Sequence, residues 1–395
     1  MSYFSLTPRV FIGKNAINEA MPSIEQLGTH AMIVTGPHVG KSPMVKNLCE
    51  LLNASRIPHV VFDEITGEPT TDMIEKGAGI YRNNGCDFLI GIGGGSPLDS
   101  AKLIAIAAEG DRDFVSLQGK NIEGDIPPVA AIPTTAGTGS ETTKFAVITD
   151  PDKNLKMLLR SEKIVPQIAV LDESDTQDMP KSVTASTGLD ALTHAVEAYT
   201  SKKCYKPVDS IAVTATKRIL KYLPKAYHDG YDTEARRQMM LAAFEAGICI
   251  NNSSVTIVHG MSRPIGALFH VPHGLGNAML ITEALGFVAD SAYSRFASLA
   301  RETGTATEEM TDKEAAASLI SAIDDMVRIC KVPTLREYGI GEQEFMQAVP
   351  KMAADAIASG SPANSMREVS AEDCEKIYKS VYLESGADKT ISCTA

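Results

Sequence analysis

Short apolar runs alternate with amphipathic stretches over the first half of the chain. HAMIVT at His30–Thr35, HVVF at His59–Phe62, DFLIGI at Asp87–Ile92 and PVAAI at Pro128–Ile132 are each closed by Gly, Pro or Asp. That is the pattern of buried strands. Between them, Pro43–Asn53 and Thr71–Asn83 repeat apolar positions at helical spacing. Strand, helix, strand, helix in this rhythm predicts a parallel sheet with crossover helices. Phe145–Thr149 and Leu155–Leu159, joined across Asp150-Pro151-Asp152, predict a hairpin, and Ala169–Leu171 a last strand. From Ser182 onward the period is that of helices, as in Val208–Tyr222, Thr233–Ile250, Ala292–Thr303, Lys313–Cys330 and Glu342–Ala358. The expected architecture is an α/β domain over residues 1–184 and an all-helical domain over 185–395, with a polar tail from Glu384 that frays.

Composition narrows the partners. At 395 residues, 44% hydrophobic and 22% charged, the chain has room for two cores. A net charge of -12 without a basic block argues against nucleic acid. The cysteines (Cys49, Cys86, Cys204, Cys249, Cys330, Cys374, Cys393) are scattered, with no CxxC pair, and read as free thiols in a reducing compartment. MSYFSLTPRVFIG lacks the basic and apolar regions of a signal peptide, and no apolar run is long enough for a membrane span. The expectation is a cytoplasmic protein with neither a membrane nor a nucleic-acid partner.

The third strand runs into Gly93-Gly94-Gly95-Ser96-Pro97-Leu98-Asp99. Glycines there let the backbone approach a ligand closely. Ser96 is expected as N-cap, Pro97 as first helical residue and Asp99 as a capping-box acid. The free N–H groups of that helix start make an anion site, and a dinucleotide pyrophosphate is the expected anion. The segment differs from GxGxxG, and a plain strand-to-helix turn is the alternative. The next strand opens onto PTTAGTGSE at Pro133–Glu141, whose hydroxyls and glycines suit phosphates and ribose.

The stretch Thr187–Asn277 holds Asp190, His194, His259, His270 and His273. Asp190 and His194 are four residues apart among good helix formers, so they share one helix face. With His259 and His273 they offer one oxygen and three nitrogens, a set suited to Fe(II) or Zn(II) and not to Ca or Mg. Singly, each reads better as something plainer: Asp190 as a solvated helix residue, His194 as a hydrogen-bonded core histidine, His259 and His273 as helix-end and loop histidines.

GGGSPLDSAK, PTTAGTGSE, GLDALTHAVEAY and HGMSRPIGALFHVPHG, in this order, resemble the signatures of the iron-containing (group III) alcohol dehydrogenase family over essentially the whole chain. The resemblance implies a Rossmann-like, dinucleotide-binding N-terminal domain, a helical metal-binding C-terminal domain and an active site in the cleft between them. It implies metal-dependent, NAD(P)-linked oxidation of a small alcohol, or reduction of an aldehyde, in a homo-oligomer of two or more copies. Carried over residue by residue, it makes Asp190, His194, His259 and His273 the ligands of one divalent metal. It places Gly93, Gly94, Gly95, Ser96, Asp99, Thr134, Thr135 and Lys156 at NAD(H) or NADP(H). Gly36 stands where many members carry an acidic residue at the adenine ribose, which leaves room for a 2′-phosphate.

Arg263 stands where several members have a histidine. Its bland reading is a salt bridge. Its functional reading is a clamp for a carboxylate or sulfonate tail, which would make the substrate resemble succinic semialdehyde or sulfoacetaldehyde. His270 is a candidate proton relay and is not counted as a ligand. Two rivals differ in class: a dehydroquinate-synthase-like lyase, which would need more basic residues near the ligands, and a metal- or nucleotide-binding protein without turnover.

Overall fold

The structure, a computed structural model, describes residues 3–384 apart from 111, 112, 121, 123 and 154. The tail beyond 384 and Cys393 lie outside the described residues. The described chain divides into two compact units, 3–184 with 225–252, and 185–224 with 253–384.

The first unit is built on strands β1 (Arg9–Ile12), β2 (Ala31–Val34), β3 (His59–Phe62), β4 (Phe88–Gly93), β5 (Val129–Pro133), β6 (Phe145–Asp150), β7 (Leu155–Arg160) and β8 (Ile168–Leu171). Six form one sheet in the order β1-β8-β5-β4-β2-β3, with every pairing parallel. β6 and β7 form the expected antiparallel hairpin, with Phe145 opposite Arg160. β1, four residues long and half exposed at the sheet edge, escaped the sequence reading. Its register against β8, Arg9 opposite Ile168, fixes it there.

Helices α1 (Ala16–Ile24), α2 (Pro43–Ala54), α3 (Thr71–Asn83) and α4 (Gly95–Ala107) cover the sheet. Strand side chains alternate between two cores. Met32, Val34 and Leu89 pack with the residues of α3, α4 and the hairpin. Ala31, Ile33, Phe88 and Ile90 pack with those of α1 and α2. Local chemistry sets the helix starts. Ser42 caps α2 ahead of Pro43, and Thr70 caps α3 by accepting from the Met73 amide. The start of α4 corrects the sequence expectation. Gly94 is its cap, Ser96 and Pro97 lie inside its first turn, and no side chain caps it.

A short α5 (Phe114–Leu117) precedes β5, and the helical part follows as α6 (Lys181–Tyr199), α7 (Lys206–His228), α8 (Thr233–Asn252), α9 (Ile257–Phe269), α10 (His273–Ala289), α11 (Tyr293–Thr303), α12 (Asp312–Ile329), α13 (Glu342–Ala358) and α14 (Ala371–Glu384). α8 belongs to the first unit, where sequence periodicity alone groups it with the helices. Asn251 on α8 accepts from the Lys144 amide at 2.8 Å, and Arg237 pairs with the buried Glu173 at 2.7 Å. Helical spacing reveals an element's type and not the unit its polar side chains bind. Among the described residues no single helix is long and apolar enough to cross a membrane.

Candidate metal and nucleotide sites

In the second unit, Asp190 and His194 lie one turn apart on α6, His259 lies in the first turn of α9, and His273 opens α10. Gly274 permits that assembly. A Cβ there would stand 2.7 Å from the Ser186 carbonyl oxygen and 3.3 Å from the Asp190 Cβ, so only glycine lets α10 start so close to α6. Three imidazoles converge on one carboxylate oxygen. Nε2 of His194, His259 and His273 lie 3.8, 3.6 and 3.9 Å from Asp190 Oδ1. These separations are close to the roughly 3.4 Å edge of a tetrahedral shell with bonds of about 2.1 Å, and the ligand atoms of Asp190, His259 and His273 all lie within 4.8 Å of one another, a group that does not include His194. His194 and His259 stack with ring centroids 4.6 Å apart.

The donor set fits a cation. Asn277 Nδ2 donates to Asp190 Oδ1 at 2.7 Å and lies 3.1 and 3.3 Å from Nε2 of His259 and His273. One amide's two hydrogens cannot serve three acceptors at once. Its own Oδ1 is buried without a hydrogen-bond partner. A buried cluster with more lone pairs than donors calls for a positive charge. Burial alone would raise the Asp190 carboxyl, yet His194, His259 and His273 hold it well below the ordinary carboxylate range. Burial likewise pulls His259 down, but Glu197 and Asp190 outweigh it and lift the imidazole to about 9, so without a metal a proton on His259 supplies the positive charge that a bound cation would displace. The side chain of His273 is 36% exposed against 3% for His259, so the cluster has one accessible side, as a catalytic metal needs.

Glu197 is the residue the sequence reading missed. It is buried on α6 and its Oε2 lies 2.6 Å from His259 Nδ1. Its Oε1 accepts from the Thr256 hydroxyl and the Val258 amide, both at 2.7 Å. A signal was present: 190, 194 and 197 follow the i, i+4, i+7 stripe of one helix face. Asn277 likewise lies one turn beyond His273.

Arg263 stays helical although Pro264 follows it, contrary to the bias of residues before proline. It is half-buried, and its Nη1 donates to Ser361 Oγ at 2.9 Å. Burial lowers its pKa while Glu197 opposes that shift. His270 caps α9 in a left-handed conformation, φ 54°, and is exposed.

In the first unit, the glycine and threonine loops leave adjacent parallel strands and touch. The Thr134 amide donates to the Gly93 carbonyl at 2.8 Å. A Cβ on Gly95 would meet Thr138 Cγ2 at 2.9 Å, and one on Gly94 would meet Thr135 Cγ2 at 3.4 Å. The α4 amides therefore start beside the hydroxyls of Thr135 and Thr138, an arrangement suited to phosphate. Asp99 forms no capping box. Its carboxylate accepts from Ser140 Oγ at 2.5 Å and the Val147 amide at 2.9 Å, which ties α4 to the second loop and the hairpin. Lys156, on β7, is held by the Glu68 carboxylate at 2.7 Å. Gly36 follows β2, and a Cβ there would come within 2.9 Å of the Ile65 carbonyl oxygen, so packing also demands glycine at this position.

Residues 7–173 match the model of the iron-containing alcohol dehydrogenases, and 184–382 match that of the Fe-containing alcohol dehydrogenase family, C-terminal. The NAD-dependent methanol dehydrogenase of Bacillus methanolicus is 32% identical over 96% of this chain and 99% of its own length. A solved 1,3-propanediol oxidoreductase superposes with a TM-score of 0.93 at 30% identity, covering 96% of this chain and all of the other. The sulfoacetaldehyde reductase of Bifidobacterium kashiwanohense, solved in complex with NAD+, gives 0.85 at 26% identity, covering 97% and 99%. Matched from the glycine loops through the histidine helices, the chain belongs to the iron-containing alcohol dehydrogenase family.

Proposed function

We propose that the protein is an NAD(P)-linked alcohol dehydrogenase, or aldehyde reductase, that acts on a small primary alcohol or aldehyde at one Fe(II) or Zn(II) ion. The observation that carries this reading is the convergence of three Nε2 atoms on Asp190 Oδ1 in a buried, acceptor-rich cluster. Asp190, His194, His259 and His273 hold the ion. A divalent metal there supplies Lewis acidity toward an alcohol or carbonyl oxygen, and the nicotinamide supplies the hydride chemistry. The buried walls of the cluster keep water from the reacting carbon, and the exposed edge at His273 admits substrate. Gly93, Gly94, Gly95 and Ser96 receive the pyrophosphate on the α4 amides, with Thr134 and Thr135 beside it. Asp99 acts by fixing that loop against Ser140, and Lys156 and Gly36 lie at the nucleotide. The free cysteines suit a reducing cytoplasm. A homo-oligomer, with neither nucleic acid nor membrane as partner, completes the reading.

The test is an aldehyde panel with NADH and NADPH, using protein stripped of metal and reconstituted separately with Fe(II) and Zn(II). Stoichiometric consumption of reduced cofactor that returns only with metal supports the reading. Turnover without cofactor consumption points to a lyase, and activity indifferent to metal removes the metal role.

A second reading is favoured by Arg263. Its guanidinium lies one helical turn beyond His259 and bonds to a neutral hydroxyl, and one solved neighbour is a sulfoacetaldehyde reductase. Under this reading Arg263 grips an anionic tail. Comparing kcat/KM for sulfoacetaldehyde, succinic semialdehyde and propanal in the wild type and Arg263→Ala decides it. A loss confined to the two anionic substrates supports the clamp, and equal losses on all three remove it.

A further inference from the structure

We infer that Glu197 is a positioning residue that fixes the tautomer of His259, so that its Nε2 lone pair faces the metal. The inference rests on the proposed metal site and gives a role to a residue of GLDALTHAVEAY to which the resemblance assigns none. Glu197 is fully buried on α6, and both its oxygens are engaged. Oε1 takes the Thr256 hydroxyl and the Val258 amide, and the amide can only donate. Oε2 lies 2.6 Å from His259 Nδ1. An ionised carboxylate accepts only, so Nδ1 must carry the hydrogen. When a metal displaces the other ring proton, the neutral imidazole has its lone pair on Nε2, the atom that points at Asp190 Oδ1. A metal-bound imidazole needs that state, and a carboxylate on the far nitrogen fixes both tautomer and ring orientation.

The same carboxylate organises the backbone around it. Thr256 and Val258 flank the start of α9, so Glu197 ties the first turn of α9 to α6 while it orients His259. A purely structural role would stop at that tie. The two roles come apart in Glu197→Gln, because Gln has nearly the shape of Glu and the opposite hydrogen-bonding character at one end. If the new amide kept its oxygen toward Thr256 and Val258, its NH2 would face Nδ1. His259 would then take the Nε2–H tautomer and present a hydrogen to the metal position. If the amide turned around, two donors at the α9 start would lose their acceptor.

The experiment uses the full chain and measures the Zn(II) dissociation constant by competition with a chromophoric chelator. The visible spectrum of the Co(II)-substituted protein and the apo-protein Tm are recorded beside it. Glu197→Gln is expected to weaken Zn(II) binding by about 10- to 100-fold and to alter the Co(II) d–d bands. Thr256→Val removes one bond to Oε1 and leaves the Nδ1 contact. It is expected to lower Tm while changing the dissociation constant less than about 3-fold, since the tautomer is kept. Zn(II) binding by folded Glu197→Gln equal to the wild type overturns the inference, as do equal losses in the two variants. Absence of Zn(II) and Co(II) binding by the wild type overturns the proposed metal site itself, which distinguishes the two failures.

Discussion

Each unit buries a carboxylate cluster, and the two differ in where the positive charge comes from. Beneath the glycine loops, Asp99 and Glu141 are accompanied by Lys102, whose side chain is fully buried. Its ammonium donates to the carbonyls of Thr143 and Phe145, both at 2.9 Å, and lies 3.9 Å from Asp99. Around Asp190 the neighbours are three imidazoles and an amide that donates to one of them at most. A cluster that carries its own cation is complete and acts as a strut. A cluster that gathers lone pairs and lacks a fixed cation is built to receive one. The first unit therefore presents main chain to its ligand, and the second presents side chains.

The largest expected effect breaks the second half of that contrast. His259→Ala removes one of three convergent nitrogens and leaves the Glu197 carboxylate without its imidazole. Turnover should fall by more than about 100-fold, as when a principal electrostatic stabiliser is lost. The NADH dissociation constant should hold within about 2-fold, because the amides that receive pyrophosphate belong to the other unit. Retained turnover in metal-reconstituted protein would remove His259 from the site.

Gly94→Ala tests the other half. The structure accepts a Cβ at Gly94 with an ordinary 3.4 Å contact, whereas one at Gly95 would press on Thr138 at 2.9 Å. The variant should keep its Tm and lose cofactor affinity by about 10-fold, the equivalent of one charge-assisted hydrogen bond. Fluorescence titration with NADH and NADPH reads it. An unchanged dissociation constant would make the loop a plain turn.

Much of this was legible in the sequence, for reasons that differ between the units. The strands β2, β4 and β5 read directly because burial on both faces leaves continuous apolar runs, and β3, partly exposed at one sheet edge, read from HVVF closed by Asp63. Asp190 and His194 read from i, i+4 spacing. β1, the other four-residue edge strand, did not, and no residue of it is buried. The α4 start misled because Ser-Pro imitates a cap, while the touching loops make Gly94 the cap residue. Lys102, the last residue of GGGSPLDSAK, drew no reading from the sequence and is a buried strut. Glu197 was hidden for a different reason. A glutamate in a helix reads as solvated until the chain brings Thr256, Val258 and His259 to it from 59 or more residues away.

A smaller effect should come from Gly274→Ala, which asks whether the side-chain site also depends on main chain. The added Cβ would meet the Ser186 carbonyl oxygen at 2.7 Å. Overpacking of this kind costs about 1–3 kcal/mol. It should push the first turn of α10 away from α6 and take His273 with it. Zn(II) affinity should fall several-fold together with Tm, while cofactor affinity stays the same. A drop in Tm with unchanged Zn(II) affinity would mean that the cluster tolerates movement of His273.

The smallest effect on catalysis should come from Glu141→Gln, which probes the strut through its pH dependence. Glu141 is buried, and burial raises its carboxyl from 4.5 to about 7. Burial also lowers Lys102, from 10.5 to about 8, so the ammonium stays charged at neutral pH while Asp99 and Glu141 share it. The raised acid binds a proton in the folded protein between about pH 4.5 and 7, where the unfolded chain has released it. Fewer protons in the unfolded state mean that stability falls as pH rises through that window and levels off above it. Gln has no proton to lose, so the variant should lack this decline. Its advantage over the wild type should grow from near zero at pH 4.5 to about 1–3 kcal/mol at pH 8, within the ceiling set by 1.36 kcal/mol per pKa unit. Urea unfolding at several pH values measures the difference. Zn(II) affinity should not change, because Glu141 lies in the unit that already holds its cation. A stability difference independent of pH would show that Glu141 is ionised at no cost, and that Lys102 compensates both carboxylates.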